Sequence, residues 1–324
     1  MTKAAVSDQE FIEIWHNLRN GEKVAERLGV NLRSVMRRRR NLELKYHIAL
    51  PSNKGTYKEL QTADKHKGRY IAGIENGTVI VFSDAHFWPG IRTTAFKGLL
   101  WAIKTLQPKA VVCNGDAFDG ASISRFPRIG WDSKPSVIQE LHACEGALGE
   151  IEETAKRARH NVKLVWPLGN HDARFENRLA QNAPEFEGVG GFHLKDHFPA
   201  WIPCWSVWIS HDVVVKHRYK GGIHATHNNT VGSGKSIVTG HLHSLKVTPY
   251  SDYNGTRYGV DTGTLADTDG PQFIDYLEDS PTNWRSGFAV LTFKDGQLLY
   301  PEVAQKFSEG HIQFRGQIIK VDHL

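Results

Sequence analysis

Residues 226–244 read THNNTVGSGKSIVTGHLHS, and two phosphate-handling signatures overlap in them. GSGKS at 232–236 has the ending of an ATP-binding P-loop, whereas GHLH at 240–243 has the spacing of a pair of metal ligands. The first reading implies a glycine cradle around a nucleotide, the second a metal-assisted attack on a phosphate ester. Spacing decides between them. A P-loop needs a glycine separated by four residues from its GK pair, so that the backbone wraps the phosphates, and that position is Asn229. A P-loop also follows a buried strand and opens a helix, but HNNTVG precedes GSGKS and the apolar run Ser236, Ile237, Val238 follows it. The segment therefore reads as a turn feeding a strand, and that strand delivers His241 and His243.

Working outward, the chain from residue 78 alternates strand-like and helix-like stretches. TVIVFS, AVVCN and VKLVWP are apolar runs of buried strands, and TTAFKGLLWAIKTL and PSVIQELHACEGALGEIEETAKRARH carry helical periodicity. That alternation predicts an α/β protein, and ligand sites in such sheets lie beyond the carboxyl ends of the strands. The first run leads into Asp84 and His86, the second into Gly115-Asp116 and Asp119, the third into Gly169-Asn170-His171-Asp172. VVVKH then delivers His217. A single GNHD is accounted for by a turn capped by its own Asn. Five such clusters, each ending an apolar run, point to one shared site.

The ordered signature DxH, GDxxD, GNH(D/E), a separate His and GHxH, running from Asp84 to His243, resembles the calcineurin-like metallophosphoesterase family over roughly residues 77 to 300. GTL and NWRSGFAVLTF further on are similar to phage-type members. The resemblance implies an α/β fold in a four-layer αββα sandwich, two mixed sheets flanked by helices. It also implies that Asp84, His86, Asp116 and His243 hold one metal, and that Asp116 bridges to a second completed by Asn170, His217 and His241. A bridging carboxylate suits two cations roughly 3.5 to 4 Å apart, and the mixed O/N donor set disfavours calcium. Two divalent transition metal ions are expected, manganese first, with iron, zinc or nickel as alternatives. They would clamp the phosphate and acidify a shared water, making the in-line nucleophile. His171, beside a ligand, would stabilise the developing charge or protonate the leaving oxygen, with Asp119 orienting its other nitrogen. One departure concerns the isolated histidine, often followed by Gly in the family but by Arg218 here. His217 is preferred because it ends the run VVV; His224 in GGIHATHNN is the alternative.

The front of the chain differs in kind. Residues 1–50 carry ten Lys or Arg against six Asp or Glu, so +4 of the formal +5 lies there. Phe11, Ile14, Trp15 and Leu18 follow one buried helix face, with Ser7 or Asp8 as N-cap and an end near Gly21. A short helix closed by Gly29 and a second from Asn31, with Leu32, Val35 and Met36 inward, then make a helix-turn-helix, Ala25 and Gly29 permitting the close approach. Its second helix would read DNA with Asn31, Arg33, Ser34 and Arg37 and hold phosphates with Arg38 and Arg40; a solvated basic helix in a protein-interaction module is the alternative. Residues 1–45 are thus a small all-α helix-turn-helix domain, 46–76 a polar linker, and 77–324 the catalytic body.

Three scattered cysteines, Cys113, Cys144 and Cys204, exclude a disulfide framework. No apolar run approaches the roughly 18 residues that span a bilayer, and the start lacks a signal sequence, so the expected location is the cytoplasm. The metal signature fixes phosphoester chemistry but not the ester. The basic module, with Phe87, Trp88, Arg125, Phe126 and Arg128 placed to grip a strand, favours a DNA-directed phosphodiesterase or nuclease. The alternative is a phosphatase acting on a small metabolite or phosphoprotein, its front module used for targeting.

Overall fold

The computed structural model describes residues 6–46, 48, 50, 68–125, 131, 134–277 and 279–322. Phe126 and Arg128 lie outside the described residues, as does most of the linker expected over 46–76. The chain divides into two compact units, one through Lys67 and one from Gly68.

Among the described residues, the first unit holds three helices, α1 (Asp8–Leu18), α2 (Gly21–Leu28) and α3 (Leu32–Tyr46). Ser7 caps α1, its Oγ accepting from the Glu10 amide at 3.2 Å, and Arg19 ends the helix in the left-handed region. Phe11, Trp15, Val24, Ala25, Val35 and Leu42 are buried together. Ala25, expected to permit a close helix approach, is buried in this cluster, and Gly21 also lies against α3. A Cβ on Gly21 would stand 3.0 Å from Leu32 Cδ1 and Met36 Sδ, so Gly21 admits α3, while Gly29 supplies the left-handed C-cap of α2 at φ 64°.

In the second unit the chain runs β1 (Arg69–Ile71), β2 (Gly77–Phe82), α4 (Thr94–Leu106), β3 (Ala110–Cys113), α5 (Val137–Ala158), β4 (Lys163–Pro167) and α6 (Asp172–Asn182). It continues through β5 (Ile202–Cys204), β6 (Ser206–Ser210), β7 (Val213–Val215), α7 (Ala225–Ser233), β8 (Ser236–Thr239), β9 (Lys246–Asp252) and β10 (Gly255–Asp261). Then come α8 (Ile274–Leu277), β11 (Gly287–Lys294), β12 (Gln297–Leu298), β13 (Glu302–Ser308), β14 (His311–Phe314) and β15 (Gln317–Lys320). One sheet has six strands in the order β1-β6-β7-β8-β10-β9. The other has nine, β15-β14-β13-β11-β2-β3-β4-β5 with β12 beside β11.

The pleat explains the layering, because successive side chains in a strand face opposite ways. On β2, Val79 and Val81 join Val207, Val215, Val238 and Val260 of the facing sheet in one core. Ile80 and Phe82 join Leu99 and Ile103 of α4 and Leu141 and Leu148 of α5 in another. Helix α7 packs on β8, β9 and β10 of the six-stranded sheet. The layers are therefore helices, nine-stranded sheet, six-stranded sheet, helix. Strands β13 to β15 continue the nine-stranded sheet past residue 300.

The opening stretch resolves in an unforeseen way. Residues 225–233 form a helix closed by Gly234 at φ 65°, so the turn is only Gly234 and Lys235 before β8. Helix precedes and strand follows, the reverse of a P-loop. Thr, Asn and Gly are poor helix formers; packing overrides them, since a Cβ on Gly259 of β10 would lie 2.0 Å from the Thr226 carbonyl oxygen. Among the described residues, no helix is long and apolar enough to cross a membrane.

Candidate metal centre

Strands β2, β3, β4, β7 and β8 deliver the candidate ligands from their carboxyl ends. Asp84, His86, Asp116, His241 and His243 all have positive φ, at 52°, 39°, 53°, 72° and 57°. That region is costly for residues with a Cβ and persists where surrounding contacts hold it. Here the contacts are main-chain ones: the Asp84 amide donates to the Gly115 carbonyl at 2.9 Å, and the His86 amide to the Asp116 carbonyl at 2.9 Å. Three motif glycines leave room for this packing. A Cβ on Gly115 would stand 2.4 Å from His217 Nδ1, one on Gly169 2.0 Å from Asp116 Oδ1, and one on Gly240 2.6 Å from Asp84 Oδ2.

Among the described residues, three groups of side chains bring their donor atoms within 4.8 Å of one another: Asp84, His86 and His243; Asp116, His217 and His241; and His86, Asp119 and His171. The His217 ring lies beside that of His241, centroids 5.4 Å apart. His224 is exposed at the start of α7 and belongs to none of these groups. Asn170 sits in the β4–α6 turn between Gly169 and His171; its Oδ1 is buried without a hydrogen-bond partner, while the next amide, His171 N–H, donates to Asp116 Oδ1 at 2.8 Å.

The donor set fits cations. His217 Nδ1 donates to the Asn114 carbonyl at 2.7 Å, which turns Nε2 toward Asp116 Oδ2 at 3.1 Å. Burial opposes a charge on His217, yet Asp116 and Asp84 raise its pKa to about 10. Imidazole and carboxylate thus face each other across the position where a metal would bind. His243 Nε2 faces Asp84 Oδ1 at 3.0 Å in the same way. Burial works against ionisation of Asp84 and Asp116, but the neighbouring histidines hold both below the usual carboxylate range.

Around this core, Asp119 Oδ1 lies 2.8 Å from Nδ1 of both His86 and His171. The expected partner of His171 thus also orients His86. Arg174, not singled out from the sequence, donates from one nitrogen to the Asp119 carbonyl at 2.9 Å and from another to His171 Nε2 at 3.1 Å. Asp172, part of the third strand-end cluster but given no role from the sequence, braces the site. Its Oδ2 accepts from the amides of Asp116 and Gly169 at 2.8 Å and from Trp166 Nε1 at 3.0 Å. Its Oδ1 accepts from Ala117 and Phe118. Burial and the Asp116 charge push its pKa up to about 6, and the donors keep it ionised at neutral pH. Its position directly after GNH was the only signal, and that signal is equally that of a helix start.

The DNA readers proposed from sequence divide. Arg33, Arg37 and Arg40 are exposed and Ser34 is half-buried. The Asn31 side chain is engaged as a cap, accepting from the Ser34 amide at 2.8 Å. Arg38 donates to the Val6 carbonyl and to Asp8 Oδ1 and lies over the Phe11 ring at 5.0 Å, so it ties α3 to α1.

Comparison with known proteins bears on the family. The calcineurin-like phosphoesterase family matches residues 77–257, more than half of the chain. The Gene 54 protein of Mycobacterium phage L5 is 27% identical over 253 residues, covering 69% of this chain and 92% of the relative. Among solved structures, Vps29 of Chaetomium thermophilum matches at 9% identity with a TM-score of 0.35, covering 76% of this chain and 99% of that one. A dimetal phosphatase from Danio rerio matches at 10% identity with a TM-score of 0.33, again over 76% and 99%. The sheets, the ordered strand-end ligands and the extent of the family match lead to one conclusion: the chain belongs to the calcineurin-like phosphoesterase family.

Proposed function

We propose that the protein is a dinuclear phosphodiesterase acting on DNA. The observation that carries the phosphoesterase part is the convergence of two ligand groups, Asp84-His86-His243 and Asp116-His217-His241, beside the Asp119-His171 pair. Asp116 is the bridging candidate, and Asn170 Oδ1 beside it in the site is a buried oxygen without a hydrogen-bond partner. When bound, divalent cations supply Lewis acidity toward phosphoryl oxygens and acidify water. Manganese suits the mixed carboxylate, amide and imidazole donors, with iron, zinc or nickel also compatible.

The chain's own groups supply the rest. Asp119 accepts from His171 Nδ1 and fixes the ring, leaving Nε2 facing Asp116 Oδ2 at 4.0 Å. That nitrogen is where a proton for the leaving oxygen is held, an arrangement worth about 10² to 10⁴ in rate. Arg174 donates to the same nitrogen in this arrangement, so that bond has to open before Nε2 carries the proton.

What supports DNA as substrate is the first unit. Helices α2 and α3 are joined by a turn that begins at the left-handed Gly29, which is compatible with a helix-turn-helix, and Arg33, Arg37 and Arg40 of α3 are exposed. A panel of manganese-loaded protein against a bis-aryl diester, a mono-aryl ester, single-stranded DNA and duplex DNA tests the reading. Hydrolysis of the diester and of DNA is expected; turnover of the monoester alone would replace it with a small-substrate phosphatase.

A further inference from the structure

A cleft of about 410 Å³ opens beside His86, between the loop following β2 and the middle of α5. Its volume suits a small organic group rather than a lone phosphate. Phe87, Trp88, Phe96 and Leu265 give it flat and apolar walls. At its edge, Arg92 is held by Glu150 through hydrogen bonds that include one of 2.7 Å, and its guanidinium lies over the Phe96 ring at 5.0 Å. A fixed guanidinium plane and aromatic rings are the surfaces on which nucleic-acid bases stack.

Beside these walls the lining carries His86, Arg92, Thr93, His142, Glu150 and Gln272. Gln272 Oε1 is buried with no hydrogen-bond partner. Its seat depends on Gly270, where a Cβ would stand 2.6 Å from that oxygen. A buried amide oxygen without a donor costs about 1 to 3 kcal/mol, so its natural complement is a ligand N–H. Flat walls, the size of the cleft and one acceptor together describe a heterocycle with an exocyclic amine, and the cleft begins at a candidate metal ligand.

We infer that this cleft is a nucleobase pocket, seating an amino-bearing base next to the scissile phosphate, with Trp88 and Arg92 bounding its plane and Gln272 accepting from its amine. The inference rests on the phosphodiesterase reading above and adds a base-recognising subsite to it.

Three diesters sharing one leaving group test it: 4-nitrophenyl esters of adenosine 5′-phosphate, of purine riboside 5′-phosphate, which lacks the amine, and of methyl phosphate. For the intact protein, kcat/KM should fall in that order. Trp88→Ala should lower the adenosine-to-methyl ratio about tenfold or more, the worth of stacking one base. Gln272→Ala should lower the adenosine-to-purine-riboside ratio about threefold or more, the worth of one hydrogen bond. Equal losses on all three esters would overturn the pocket. Calorimetry on metal-free protein gives an independent readout, in which adenosine monophosphate should bind more tightly than ribose 5-phosphate and Trp88→Ala should erase the difference. Identical binding of the two would overturn the pocket too. An intact protein that cleaves none of the esters yet prefers adenosine monophosphate would retain the pocket and sink the phosphodiesterase reading.

Discussion

The metal-site loops and the arginine-rich helix α3 hold the most conspicuous side chains of the chain, and they are built on opposite logics. In the loops, short strings such as Asp84-Ala85-His86 and Gly240-His241-Leu242-His243 keep their strained backbones because facing loops leave no other conformation, as the glycine contacts show. Each string is functional as a unit. In α3, the run Arg37-Arg38-Arg39-Arg40 is divided by a 100° turn per residue. Arg38 and Arg39 lie over the Phe11 and Trp15 rings, at 5.0 and 4.9 Å, whereas Arg37 and Arg40 are exposed. A string in a strained loop therefore speaks for all its members, while a string in a helix speaks only for those on its outer face.

The first half of that comparison breaks most visibly at Gly169→Ala. Its Cβ would stand 2.0 Å from Asp116 Oδ1 and 2.5 Å from Asp116 N, both anchored, so the Asp116 carboxylate has to leave. Metal analysis should find the variant depleted and assays should find it inactive; wild-type metal content would show that the loops tolerate more than their backbone suggests. Next in size is His171→Ala, which should keep its metals and lose about a hundredfold or more in kcat. An emptied site in that variant would make His171 a ligand and remove its assigned role.

The same comparison explains what could be read in advance. Strand-end clusters were legible because each apolar run and its polar end are adjacent in sequence. His217 was separable from His224 for that reason: one ends β7, the other is exposed at the start of α7. The bracing roles of Asp172, Arg174 and Glu140 were not legible. Besides near neighbours such as Gly169 and His171, these side chains bind residues far along the chain, as in the Asp172 bond to the Asp116 amide and the Glu140 bond to the Gly120 amide. Helix α7 escaped notice because its composition argues against a helix and only packing on β8 to β10 supplies one.

Glu140 sharpens this point with a pH dependence. It is fully buried and accepts from the amides of Gly120 at 2.6 Å and Ala121 at 3.0 Å. Burial, then the nearby Asp119 charge, raise its pKa from 4.5 to about 7 against the opposing pull of those bonds. A carboxyl whose pKa is higher folded than unfolded favours the fold fully below 4.5 and loses that contribution as pH rises through about 7. The amount is about 3 kcal/mol. Glu140→Gln does not titrate, so its unfolding free energy relative to wild type should improve by up to that amount across this window, as urea titrations at stepped pH would show. A constant difference between the two proteins would mean that Glu140 is ionised throughout.

The smallest effects fall on α3, where they separate packing from recognition. Arg33, Arg37 and Arg40 are spaced four and three apart and exposed, so they share one side of the helix. Each, if it meets a phosphate, releases a condensed counterion on binding, and replacing it by Gln should reduce the slope of log affinity against log salt by about one. Arg38 and Arg39 have other work. Arg38 reaches the Val6 carbonyl and Asp8, and Arg39 donates to Glu43 at 3.0 Å, which in turn accepts from the Leu50 amide at 2.9 Å. Arg38→Gln and Arg39→Gln should therefore lower the melting temperature of the three-helix unit while leaving the salt slope for duplex DNA unchanged. Fluorescence anisotropy over a range of salt, paired with thermal unfolding of the same full-length variants, reads both quantities. Should Arg38→Gln flatten the slope as much as Arg37→Gln, the inner and outer arginines would be serving the same phosphate surface, and the division drawn between strained loop and helix face would fail where it was sharpest.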